Sequence, residues 1–163
     1  MHRNYFTVSK SLKRVAAALE HYAASVEIME MPTETRTAEL AAEAVGCEVD
    51  QIAKSIVFEG HASGQVFVFV TAGGKQVDRA LASELAGEPL IRADAAAVRQ
   101  QTGFAIGGVS PVGHISPIPV FLDRNLTNFD IVYAAAGTPN HVFSISPTNL
   151  IDAVNVQPSD FTS

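Results

Sequence analysis

The sequence predicts a mixed α/β fold in which short helices and strands alternate irregularly. Two features carry that expectation. "KSIVFEG" and "QVFVFVTAG" are β-branched, aromatic runs joined by "HASG", the pattern of an antiparallel hairpin. Three alanine-rich segments are each framed by a capping side chain and a closing glycine, the signature of short helices. Regular strand–helix–strand winding is absent, so an all-parallel sheet is not expected.

The elements follow in order. Ser9–Tyr22 carries Leu12, Val15, Ala16 and Leu19 at helical spacing, with Ser9 or Ser11 available as a cap. "SVEIMEMP" alternates Val26 and Ile28 with Glu27 and Glu30 and stops at Pro32, which reads as a strand. Thr37–Val45 is a helix capped by Thr37 and stopped by Gly46. After the hairpin, Asp78 opens a helix that Gly87 closes. "PLIRA" is a short strand, and Asp94 and Gly103 frame a further helix. "IPVFLD", "DIVYAAAG" and "HVFSIS" are strand-like, and "PTNLIDAV" is a last helix. No repeat or low-complexity linker interrupts the series.

With 163 residues, 47% apolar and 17% charged, one domain over residues 1–163 with a sizeable core is expected. No run of about 18 apolar residues offers a membrane span. The N-terminal stretch has basic residues but no apolar segment of the kind a secretory signal needs, and Cys47 is the single cysteine. A cytoplasmic protein without disulfides is the expectation. The net charge of −6 argues against gripping a long nucleic-acid backbone, although a short single-stranded end could still be held locally. Lys10, Lys13 and Arg14 form the local basic cluster and are read as a solvated helix face.

Gly107–His114, "GGVSPVGH", is the segment that no helix or strand would choose. It is not a nucleophile elbow. Gly108-Val109-Ser110-Pro111-Val112 lacks the second glycine, and Pro111 has no N–H where that motif needs an oxyanion donor. Ser110 is then a loop hydroxyl bonding nearby backbone. "GGKQ" at 73–76 fails as a phosphate loop, because Phe69 and Gln76 stand where glycine and a hydroxyl residue are required; it is a hairpin or helix-entry turn. His2, His21, His61, His114 and His141 show no ligand spacing, so no metal is expected. Lys54 at the mouth of "AKSIVF" is either a surface salt-bridge residue or a site residue. Gly137-Thr138-Pro139-Asn140-His141 is a second tight loop before a strand.

In order along the chain, "AKSIVF" with Lys54, "VFVFVTAGGKQVD", "GGVSPVGH" with its Gly107-to-Pro111 frame, and "AAGTPNHVFSISP" resemble the YbaK / aminoacyl-tRNA synthetase-associated domain family. The likeness runs from the first helix to the last. It implies a strongly twisted, mostly antiparallel mixed sheet wrapped by helices. It also implies a trans-acting deacylase without cofactor or metal that hydrolyses the ester of a mischarged tRNA, notably tRNA-Pro carrying Cys, Ala or another small amino acid. The partners implied are the tRNA acceptor end and a prolyl-tRNA synthetase. Lys54 and the loop Gly107, Gly108, Val109, Ser110 and Pro111 would form the catalytic site, with a ribose hydroxyl helping to position water. On this expectation Pro111 stiffens the turn and the amides of Gly108, Val109 and Ser110 face the ester carbonyl. Gly137 and His141 would touch the substrate, with a structural hydrogen bond as the competing role for His141, and His114 would cap the loop at the surface. The rival from another class is a non-catalytic module binding tRNA ends or a synthetase; a serine hydrolase using Ser110 is the third reading.

Overall fold

The computed structural model describes residues 9–32 and 37–163; His2 and the N-terminal stretch lie outside them. Helix α1, Lys10–Ala18, starts where the Ser9 hydroxyl accepts the Leu12 N–H at 2.9 Å. It is shorter than its apolar spacing predicts. The stripe Leu12–Val15–Leu19 ends at Leu19, and Glu20–Ser25 tightens into a 3-10 helix, with Tyr22 N–H bonded to Leu19 O. The other expected helices stand within a residue of their caps. They are α2 (Ala38–Val45), α3 (Arg79–Ala86), α4 (Ala95–Thr102) and α5 (Pro147–Val154). Thr37, Asp78, Asp94 and Ser146 accept amide protons at their starts, and Gly46, Gly87 and Gly103 close three of them in the left-handed region.

The strands are β1 (Glu27–Glu30), β2 (Ile52–Gly60), β3 (Val66–Ala72), β4 (Leu90–Arg92), β5 (Val120–Asp123), β6 (Val132–Ala135), β7 (His141–Ile145) and β8 (Pro158–Ser159). They join one eight-stranded sheet, β1-β7-β6-β2-β3-β5-β8, with β4 also paired to β2. The predicted hairpin is its spine: β2 and β3 pair antiparallel from Ala53↔Ala72 to Glu59↔Val66. Every residue of β3 is buried, which is why that strand is an unbroken apolar run rather than an alternating one. The sheet is mixed. β1–β7, β2–β3, β2–β4 and β6–β7 are antiparallel, while β2–β6, β3–β5 and β5–β8 are short parallel pairings. The terminal strand β8 was not signalled by the sequence; with one buried apolar residue, Phe161, beside it, the tail docks on the sheet edge.

The main core gathers Leu12 and Val15 of α1, Val98 of α4 and Leu150 of α5 on one side of the sheet. Phe58, Phe67, Phe69 and Phe161 fill a second cluster, with Phe69 stacked on Phe121 at 4.9 Å. A small third cluster, Ala41, Ala42 and Ile52, lies under α2.

One contact from α1 fixes the loop between α4 and β5. Arg14 donates from Nη2 to Gly103 O at 2.6 Å and from Nε to Gly113 O at 3.2 Å, so one guanidinium ties both ends of the segment. Its plane lies over Phe104, 4.9 Å from the ring centre. The expected solvated helix face is therefore wrong for Arg14, whose planar fork suits two carbonyls at once. His114 completes the frame. Its Nε2 donates to Ser110 O at 2.7 Å and its ring meets Phe104 edge-on. It caps the loop as expected, but half-buried rather than at the surface. Burial, and then the nearby Arg14 charge, push its pKa below the ordinary 6.5 against the Ser110 bond, which raises it.

Two outcomes follow. Arg14→Ala should lower the unfolding free energy in urea by about 1.5–3 kcal/mol, and Arg14→Lys should recover less than half of that, since a compact ammonium does not reproduce the spacing of Nε and Nη2 or the planar contact with Phe104. A neutral His114 is favoured by the fold, so its stabilisation is complete above 6.5 and is lost as pH falls below it toward the lowered folded value. Between about pH 7.5 and about pH 5.5, the wild type should lose more stability than His114→Gln, which keeps a donor but does not titrate. Equal losses in the two proteins would remove His114 from the frame.

Candidate active site

The site begins with a break in strand pairing. β2 is paired to β3 along its length, but its other edge meets β6 only at Ile52 and Ala53 and meets β4 only from Phe58 onward. The unpaired stretch opens a cleft of about 400 Å³. Its walls come from Ile52–Ile56 of β2, Tyr133–Ala135 of β6, the start of α2, Gly107 and Val109 of the clamped loop, and Thr138, Pro139, His141 and Val142. The structure thus brings together Lys54, Gly107, Val109 and His141, which lie far apart in sequence. Gly108, Ser110, Pro111 and Gly137 stand behind that wall rather than in it.

Lys54 is half-buried, and its Nζ donates to Gly73 O at 3.0 Å. Among the described residues no carboxylate lies within ion-pair distance of it, so a surface salt bridge is not its role. The anchor is itself fixed. A side chain on Gly73 would collide with the Val49 carbonyl, and the next amide, Gly74, donates to Asp50 Oδ1 at 2.7 Å. "GGKQ" is the helix-entry turn before α3, and its use here is to hold the lysine. An ammonium has three donors, and one is spent on Gly73.

The structure corrects one expected detail of the loop, the role of the Gly108 amide. Gly107 has φ +92°, and a Cβ built there meets nothing within 4 Å, so glycine serves the left-handed backbone and leaves the cleft side clear. The Gly108 N–H is not available to a ligand, because it donates to Ala105 O at 2.9 Å and closes the turn. The amides of Val109 and Ser110 have no hydrogen-bond partner among the described residues. Ser110 is wholly buried, its Oγ accepts the Val112 N–H at 3.3 Å, and His114 meets its carbonyl rather than its hydroxyl. No serine–histidine pair is formed, and the serine-hydrolase reading has no attacking group.

Gly137 acts at one remove. At φ +96° a Cβ on it would lie only 3.0 Å from Phe104 and from the Ser11 backbone of α1, so a bare glycine fits there, and Thr138 follows it against Gly108. His141 is 3% exposed, opposite Glu30 in the β1–β7 register. Its Nδ1 meets Thr138 Oγ1 at 2.6 Å and its Nε2 lies 3.9 Å from the Glu30 carboxylate. It lines the cleft and is hydrogen-bonded to Thr138, the structural bond that the sequence offered as its competing role.

Sequence reasoning missed Ser55, Tyr133, Thr138 and the start of α2. Ser55 carried one signal, a hydroxyl inside an apolar strand; the others had none. Among the described residues no group of three or more His, Cys, Asp or Glu could hold a metal ion, and no helix is long and apolar enough to cross a membrane. The Cys47 thiol is pushed up by burial and by Glu48, which disfavours the reactive thiolate.

This arrangement matches known proteins. The family model for the aminoacyl-tRNA editing domain fits residues 32–153. The "Uncharacterized protein YwhH" of Bacillus subtilis is 33% identical over 140 residues, 86% of this chain and 88% of that protein. The "Putative Cys-tRNA(Pro)/Cys-tRNA(Cys) deacylase EbsC" of Enterococcus faecalis is 26% identical over 128 residues, covering 78% and 77%. A crystal structure described as "a putative trans-editing enzyme for prolyl tRNA synthetase" superposes with a TM-score of 0.86 at 43% identity, over 95% of this chain and 98% of that one. With most of its length under the family model, and with the fold of those relatives, the chain belongs to the aminoacyl-tRNA editing domain family.

Proposed function

We propose that the chain is a trans-acting aminoacyl-tRNA deacylase of one domain that clears mischarged tRNA-Pro bearing Cys, Ala or another small amino acid. The observation that carries this reading is a cleft that holds Lys54, anchored on a backbone carbonyl with no carboxylate within ion-pair distance among the described residues, beside Gly107 and Val109 of the loop. Such a site suits an activated ester attacked by placed water. The acceptor end enters the cleft, and the Lys54 ammonium holds ribose or phosphate oxygen. The amides of the Gly107–Pro111 loop, chiefly Val109, face the ester carbonyl, where negative charge develops. Each preorganised donor of that kind is worth roughly 3 kcal/mol in the barrier. Water adds to the carbonyl carbon, helped into position by a ribose hydroxyl of the substrate. The ribose oxygen then leaves with a proton, giving free amino acid and uncharged tRNA.

No metal enters this scheme. The acidic chain meets a short RNA end rather than a long backbone, so a net charge of −6 is no obstacle. The setting is the cytoplasm, with a prolyl-tRNA synthetase as the partner whose errors are cleared.

The test is a deacylation panel with tRNAs carrying Cys, Ala, Ser, Thr and Pro, run under single turnover for wild type, Lys54→Ala and Lys54→Arg with melts alongside. The wild type should release one or more of the small residues well above the buffer rate. Lys54→Ala should be slower by about ten- to a hundredfold at near-equal stability, and Lys54→Arg should remain impaired because a planar fork replaces a compact ammonium. Equal rates in all three proteins would reduce Lys54 to a strand residue. No release from any tRNA would leave the non-catalytic binding module as the better reading.

A further inference from the structure

Ser55 is a polar residue of the cleft that the proposed reaction does not use. Its backbone direction follows from bonds at the hairpin's end. Gly60 N–H donates to Gln65 O, on the β3 side of β2. The register runs without a bulge from Ala53 to Glu59, and in an antiparallel pair the N–H and C=O of one residue point to the same side. Even-numbered residues of β2 therefore turn their peptide groups to β3, and odd-numbered residues turn theirs away. Val68 N–H, bonded to Pro119 O on the far side of β3, gives the matching parity in the partner strand. The parallel ladder with β6 stops at Ala53↔Ala134, and that with β4 begins at Phe58↔Arg92. The N–H and C=O of Ser55 thus open onto the cleft.

The side chain adds a third group. Ser55 Oγ is buried and has no hydrogen-bond partner among the described residues. An unsatisfied buried hydroxyl is costly, and a ligand that bonds it removes the cost. Lys54 and the loop amides offer donors, which suit the oxygens of an ester, a ribose or a phosphate. An ammonium has the opposite need, since it carries three donors and no acceptor. Among other acceptors in the lining, Thr138 Oγ1 is engaged with His141, and Glu39 is exposed to solvent.

We propose that Ser55 is the subsite for the substrate's α-amino group, with its carbonyl and hydroxyl oxygens accepting from the ammonium. The assignment rests on the deacylase reading and gives it a chemical limit: the site takes esters with a free α-amino group and discriminates against N-acylated ones. Ser55 would then fix the aminoacyl group from the amine side while the loop holds its carbonyl.

The experiment compares wild type and Ser55→Ala on alanyl-tRNA and N-acetyl-alanyl-tRNA under single turnover. The wild type should hydrolyse the free-amine substrate at least about tenfold faster. Ser55→Ala should lose about tenfold on that substrate and little on the acetylated one, so the ratio shrinks. Its melting temperature should be unchanged or higher, since an unsatisfied hydroxyl is removed. A binding arm uses 3′-alanylamino-3′-deoxyadenosine and its N-acetyl derivative in calorimetry, and does not depend on turnover. Preference for the free amine in the wild type, lost in Ser55→Ala, supports the subsite. Rates and affinities that do not distinguish the two amines, or a ratio unchanged in Ser55→Ala, would overturn it. Absence of hydrolysis with a retained amine preference would sink the deacylase reading while leaving the subsite; no binding of either analogue would sink both.

Discussion

The grip of Arg14 on two backbone carbonyls is the contact on which the rest of the site depends. Gly103 O ends α4 and Gly113 O ends the glycine–proline loop, and a single guanidinium from α1 closes the distance between them. With its ends pinned, the intervening chain has little freedom. Gly108 spends its amide on Ala105, Ser110 is buried and bonded, and His114 holds the Ser110 carbonyl. Gly107 and Val109 are the loop residues that remain on the cleft side. Gly113 could not be larger, because a Cβ there would meet the Arg14 backbone at 3.0 Å, so the loop is seated on α1 as well as tied to it.

The cleft is as much a product of the sheet as of the loop. β2 is paired with β3 along its length, but on its other edge β6 and β4 leave the middle uncovered. A strand edge left open inside a protein is ordinarily a liability, since its peptide groups lack partners. Here α2, the clamped loop and the Thr138–His141 turn cover it without filling it. Lys54 is the one lysine or arginine among the described lining residues, and it is anchored by a carbonyl instead of a carboxylate. Among the described residues no carboxylate lies within ion-pair distance of it, in a chain that is acidic overall.

Much of the fold was legible because its signals are local. Thr37, Asp78 and Asp94 cap helices that Gly46, Gly87 and Gly103 end, and each decision is made within about four residues of chain. The β2–β3 hairpin is equally local. The parallel pairings β2–β6 and β3–β5 and the terminal β8 depend on distant segments and leave no spacing to read. The site divides in the same way. Ser110 could be set aside as a nucleophile from Pro111 alone, and Lys54 stood out as a charge in an apolar strand. Arg14 could not be recognised, because a basic residue on a helix gives the same pattern whether it meets water or carbonyls about 90 and 100 residues away. The spent amide of Gly108 and the bare edge at Ser55 are facts of hydrogen-bond direction, which composition does not encode.

In the proposed reaction the clamped loop meets the ester carbonyl with its backbone while Lys54 holds the nucleic-acid side. A crystal structure with 3′-alanylamino-3′-deoxyadenosine, whose amide replaces the labile ester, would show both contacts. The ligand's carbonyl oxygen should lie about 3 Å from the Val109 amide nitrogen, with a ribose oxygen within hydrogen-bond reach of Lys54 Nζ and the Arg14 contacts unchanged. A ligand seated in the cleft with its carbonyl turned away from the loop, or bound outside the cleft altogether, would contradict the account.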